Sequence, residues 1–189
     1  MPLRCPLPVL VVAAAAATAV VVDACSSSTG LPAAAIANVI DTVSLYAIRG
    51  TAISTPSAYS LSANQAVLVQ NASLDFAFDF DSIGQPALFP TGALRLGTSS
   101  GLQTSTTAFD AVKLAPTGNY ILDKPIALDT GTVVLVSSRP TPCVFGVTVS
   151  YYAKLRVIRV DSTARRLDFV ILVDQNCGYR GLEPGLPTQ

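Results

Sequence analysis

Histidine and tryptophan are absent from the 189 residues, methionine occurs once, and glutamate occurs once, at Glu183. Without histidine there is no Ser-His-Asp or Cys-His nucleophile system, because both use an imidazole to carry the proton. The commonest zinc and transition-metal ligand is missing for the same reason. A single glutamate leaves any two-carboxylate hydrolase to be assembled from aspartates. Charge is scarce as well. Only 13% of the residues are Asp, Glu, Lys or Arg, about half the ~25% usual for a soluble domain. Twelve basic and twelve acidic residues cancel, so no basic face is on offer to nucleic acid, whose binding rests on cations at phosphates.

What is present begins with a lone Arg4 and an apolar run from Leu7 to Val22. As a helix that run would reach roughly 24 Å, short of the ~30 Å hydrocarbon core of a bilayer. One basic residue before it and a small residue after it form the layout of an export signal. The run closes on Val22-Asp23-Ala24-Cys25, followed by the polar spacer Ser26-Ser27-Ser28-Thr29-Gly30. This stretch resembles the signal of bacterial lipoproteins, with an aliphatic residue at minus three, a small one at minus one, and a cysteine next. Asp23 stands where that family usually has a small neutral residue. The resemblance covers the leader alone. It implies lipidation of Cys25 and a chain held at the periplasmic face of a bacterial membrane, in the cell envelope. A retained signal-anchor helix and plain cleavage without lipid are the alternatives.

Setting the leader aside leaves about 165 residues, enough for one domain with its own core. Removing Arg4 and Asp23 from the twelve and twelve leaves eleven charges of each sign. A poorly charged surface favours association with a partner or a membrane. Of the four cysteines, Cys5 lies in the leader and Cys25 at its end, so Cys143 and Cys177 are left for a disulfide. Closing a loop of about 35 residues would stabilise the fold by about 4 kcal/mol on the chain-entropy model.

Downstream of the spacer the chain reads as short strands separated by Gly, Pro and Ser turns. Leu31 to Ile40 admits a helical turn or a lead-in strand. Thr42 to Arg49 and Ala66 to Gln70 read as strands, and Thr51 to Leu61, with Pro56, as a loop or edge strand. Ser73 to Asp81 alternates most cleanly. Leu74, Phe76, Phe78 and Phe80 share a core face, and Asp75, Ala77, Asp79 and Asp81 a solvated outer face. Asp81 to Gly84 is turn chemistry, with Ala87 to Phe89 as the returning strand. Ala93 to Leu96, Ala108 to Leu114, Tyr120 to Leu122 and Thr132 to Ser137 are further strand candidates, with a polar loop from Gly97 to Thr107. The longest element is a hairpin between Val147 and Gln175, clamped at its open end by Cys143 and Cys177.

Roughly nine to eleven short strands without an amphipathic helix predict an all-β domain, a β-sandwich of immunoglobulin-like or jelly-roll topology, preceded by an N-terminal hydrophobic helix. The layout is a signal or anchor helix over 1–24, a spacer over 25–40, the sandwich over 41–177 and an extended tail over 178–189. Candidate docking residues are Tyr152, Lys154 and Arg156 on the outward side of the hairpin, and Arg165 and Arg166 at its tip. Asp79 and Asp81 are a weak calcium candidate. Gly84 fits position six of a calcium loop, but Ile83 and Pro90 stand where positions five and twelve need oxygen ligands. No cofactor is expected. The composition points to a non-enzymatic, membrane-tethered accessory subunit docking on a larger membrane or envelope complex, respiratory and photosynthetic assemblies included. A sugar- or small-molecule-binding lipoprotein is the alternative, and a hydrolase built on aspartates comes third.

Overall fold

Twelve strands, all short except a final pair, follow one another in a computed structural model that describes residues 32–143 and 146–188. The expected leader helix and Cys25 lie outside the described residues. In chain order the strands are β1 (Ile40–Tyr46), β2 (Ala58–Ser60), β3 (Gln65–Val67), β4 (Phe76–Phe80), β5 (Pro86–Pro90), β6 (Gly101–Ser105), β7 (Ile126–Ala127), β8 (Val133–Ser137), β9 (Thr141–Pro142), β10 (Thr148–Val149), β11 (Tyr152–Asp161) and β12 (Arg166–Asp174). A 3-10 turn spans Phe109–Ala111. No helix among them is long and apolar enough to cross a membrane.

The strands form two five-stranded antiparallel sheets, ordered β1-β12-β11-β8-β6 and β3-β2-β4-β5-β7, with β9 and β10 as a separate two-stranded ribbon. One hydrophobic core lies between the sheets. Leu45, Val134, Leu155, Phe169 and Ile171 of the first sheet meet Tyr59, Phe76, Phe78 and Leu88 of the second. Tyr59 stacks on Phe76 at 5.6 Å between centroids, and Phe169 crosses both rings at 6.3 Å. Alternation explains this core: in β4 and β12 every second residue is a large apolar one, and successive strand side chains face opposite ways. The β11–β12 hairpin carries the tightest pairing, with nine register partners and a bulge between Val157 and Arg159.

Both sheets are also covered on their outer faces, which the alternation pattern does not announce. Phe109, Val112, Ala115 and Leu182 pack on Val133, Leu135 and Leu172 of the first sheet. Leu74 joins Ala58, Val67 and Ala77 on the outside of the second, with Ile48, Val69 and Leu94 over them. Leu74 therefore parts from Phe76, Phe78 and Phe80, because β4 begins only at Phe76. The expected solvated acidic face of β4 is overturned: Asp75 is 1% and Asp79 4% exposed. Arginines from distant segments reach those carboxylates, and no local pattern encodes that.

Several strand assignments change for similar reasons. Ala93 to Leu96 is a turn, with Arg95 at φ 62°. The predicted polar loop after it contains β6, the polar edge of the first sheet. A Cβ at Gly101 would come within 2.5 Å of Tyr120, so the crossing 120–122 segment requires glycine there. Ala108 to Leu114 is the 3-10 turn and its exit rather than a strand. β2, expected at an edge or in a loop, lies between β3 and β4. Cys143 and Cys177 form the expected disulfide, with Cα atoms 6.1 Å apart. It ties the β9–β10 ribbon to the end of β12, so it does clamp the open end of the long hairpin.

Candidate functional site

The residues singled out from the sequence fall into three places. The carboxylates of Asp79 and Asp81 are engaged by groups of the chain itself. Arg49 Nε donates to Asp79 Oδ2 at 2.6 Å, Arg165 approaches Oδ1 at 3.5 Å, and the Phe80 amide donates at 2.8 Å. Asp81 caps its own turn, accepting from the amides of Ile83 and Gln85 at 2.9 Å each. Among the described residues no three Asp, Glu, Cys or His groups gather to hold a metal ion.

Arg165 is turned inward rather than presented at the hairpin tip. Its Nε donates to the Arg49 carbonyl at 2.7 Å and its guanidinium lies 4.5 Å from the Phe80 ring centroid. Gly50, at φ +79°, makes room for it: a Cβ there would meet Arg165 Nε at 2.9 Å. Arg166 is half-buried and pairs with Asp168 at 3.0 Å. Arg165 fastens the hairpin turn to the 49–50 segment, and Arg166 pairs within its own strand.

Lys154 is the largest correction. Sequence alternation does place it on the outer side of β11, but that side carries a third layer, and Lys154 is only 2% exposed. Its ammonium donates to the carbonyls of Phe109 and Val112, each at 2.8 Å, and sits 4.6 Å from the Phe109 ring centroid. Burial pulls its pKa down, while Asp110 and Glu183 oppose that shift. Tyr152 is half-buried in the same layer beside Tyr120, 6.4 Å between centroids. Arg156 stays exposed next to Phe109. The expected docking face is thus largely occupied by the chain's own 108–116 segment.

Two other buried carboxylates also act as fasteners. Asp75 accepts from the amides of Leu61 at 2.7 Å and Arg139 at 2.9 Å, with Arg139 Nε at 3.3 Å. Asp174, fully buried, accepts from the Asn176 amide and side chain at 2.9 Å each. Burial holds both carboxyls above the ordinary aspartate pKa, against the hydrogen bonds that favour the charged form.

Asn176 leads to the part of the molecule that local sequence signals did not mark. Its Oδ1 accepts the amides of Ala35 and Ile36 at 2.9 Å, and its Nδ2 donates to the Ile36 carbonyl at 2.8 Å. Asn38 pairs with Gly185 through two backbone hydrogen bonds and donates its side chain to the carbonyls of Gly181 and Glu183. Leu182 and Ala115 complete a ladder to the 113–115 segment. The incoming chain, the C-terminal tail and residues 113–115 therefore lie side by side. The boundaries expected at 41 and 177 are too narrow, since both flanking segments are pinned to the sheets.

This entry end carries Ile36, Val39, Leu114 and Leu186, which are 49%, 59%, 43% and 59% exposed. A cleft of about 460 Å³ runs between Leu114 and the tail, with Lys113 and Glu183 paired at 3.0 Å beside it. β1 starts at this end as an edge strand: only β12 lies beside it, Ile40, Asp41, Thr42 and Ser44 are exposed, and Asp41 is its one charge. The entry end offers surfaces and backbone edges. No protein-family model matches the chain, and no curated protein matches it.

Proposed function

We propose that this protein is a membrane-tethered accessory subunit of the bacterial envelope, held at the periplasmic face through lipidated Cys25, whose β-sandwich docks on a larger membrane complex without catalysing a reaction. The observation that carries the docking is β1. An exposed edge strand with a single charge is a template for a partner strand, since its unpaired amides and carbonyls are ready to continue the ladder. The low overall charge and the fastening roles of Asp75, Asp79 and Asp174 support the non-enzymatic part. The aspartate hydrolase draws no support, because the first two of these carboxylates are taken up by arginines and backbone amides and the third by Asn176.

Extraction of native membranes in mild detergent should recover the protein with a stoichiometric partner. Thr42→Lys, on the exposed side of β1, should abolish recovery of that partner while leaving the urea midpoint of the domain unchanged. Recovery of the parent protein as a clean monomer would end this reading. The cleft beside Leu114 favours one second reading, a periplasmic binding lipoprotein, because its volume suits a small ligand. The residues lining it include no aromatic ring for a sugar face to stack on, so it ranks second. A thermal shift with a panel of saccharides checks it.

A further inference from the structure

We infer that the entry end of the domain, bearing Ile36, Val39, Leu114 and Leu186, rests on the bilayer surface, so that β1 rises away from the membrane with its free edge facing sideways. This rests on the tethering proposed above and adds an orientation and a lipid-contact face to it.

The argument is one of reach. Ten residues separate Cys25 from Ala35, the first position fixed by Asn176. Fully extended they span at most about 35 Å. As a flexible chain their root-mean-square reach is only about 17 Å. A link this short keeps the entry end at a high effective concentration next to the lipid, so contacts too weak to hold a free domain are populated. The four exposed aliphatic side chains are contacts of that kind. The charges beside the cleft, Lys113 and Glu183, neutralise each other there.

The opposite end competes poorly. β1 runs from Ile40, paired with Leu172, to Tyr46, paired with Arg166 near the hairpin tip. That places the Arg49, Asp79 and Arg165 cluster about 20 Å further along the strand direction. Ile53 and Ile83 are 77% and 80% exposed on loops flanking that cluster. To bring them to the bilayer the link would have to fold back along the domain and stretch beyond its root-mean-square reach, which is entropically unfavourable. The distal end is then left for water or a partner.

The absence of tryptophan makes the test direct. Full-length protein carrying Val39→Trp, Leu186→Trp or Ile83→Trp is inserted into phosphatidylcholine vesicles with and without brominated acyl chains. Intact mass of the same samples reports acylation of Cys25 or retention of the leader. Val39→Trp and Leu186→Trp should lose at least roughly half their emission to bromine, because a ring seated at the headgroup and acyl boundary comes near the brominated chains. Ile83→Trp should lose none. Quenching of Ile83→Trp alone would turn the domain over, and quenching of none would leave the entry end to a protein; either overturns the inference while the tether stands. A mass showing neither acyl chains nor leader removes the tether and the orientation together.

Discussion

At the scale of single residues, Lys154, Asp75, Asp79 and Asp174 are buried for support. Lys154 holds two carbonyls of the 109–112 segment against an apolar layer, and of the two only that of Phe109 also accepts a backbone amide, that of Val112 at 3.4 Å. Lys154→Met keeps the aliphatic stem but strands the Val112 carbonyl, and it should cost about 2 kcal/mol, read from urea unfolding. Asp75→Ala removes the acceptor for the Leu61 amide and for Arg139 and should cost about 3 kcal/mol or more. Asp75 and Asp174 both hold their protons more tightly folded than unfolded. Their contribution to stability is therefore present at low pH and is lost as pH rises through their raised values. Asp174 Oδ2 and Asn38 Oδ1 have no hydrogen-bond partner among the described residues, so at neutral pH the charged form is poorly compensated. Asp174→Asn should raise the urea midpoint at pH 7 and flatten the pH dependence of stability between pH 4 and pH 7. A lower midpoint at pH 7 would show that the charge is needed.

At the scale of elements, what a strand does to its own neighbours was readable, and what arrives from far away was not. Phe76, Phe78 and Phe80 alternate in the sequence and do fill the core. The β11–β12 hairpin is equally plain, because its alternation runs for nine paired residues. Asp79 looked solvated because Arg49 and Arg165, 30 and 86 residues away, carry no local mark. Lys154 looked like docking surface because period-two alternation separates two faces but does not say whether a face meets water or another layer. β6 was hidden by its polar composition, since an edge strand with one covered face needs few apolar residues. The Gly and Pro content of the tail reads as extended loop and does not announce that Leu182 is fully buried and Gly185 pairs with Asn38. Leu182→Ala should therefore cost about 3 kcal/mol. Reduction of Cys143–Cys177 should cost about 4 kcal/mol, with a lowered melting midpoint as the readout.

At the scale of the whole molecule, the sequence gives destination more clearly than occupation. The leader ending at Cys25 and the lack of histidine are what the proposed tethered, non-catalytic role rests on. The proposed contacts lie at the entry end and β1, because the hairpin face is largely covered by the 108–116 segment. Intact mass of protein extracted from membranes should show an acylated chain beginning at Cys25; a chain beginning at Met1 would make the leader itself the anchor.

The pairing of β1 with β12 has a further consequence for how the protein reaches its place. Ile40 meets Leu172 and Asn38 meets Gly185, so the first ordered strand has no neighbour until the last one exists. The two central strands of the first sheet also come late in the chain. A chain of which only the first hundred and sixty residues have emerged holds every strand of the second sheet, while the first sheet still lacks β12 and leaves β1 without a neighbour. On the proposed export route, a carrier of unfolded chains would meet little resistance from this one, because its architecture postpones closure of the first sheet to the last strand and the tail.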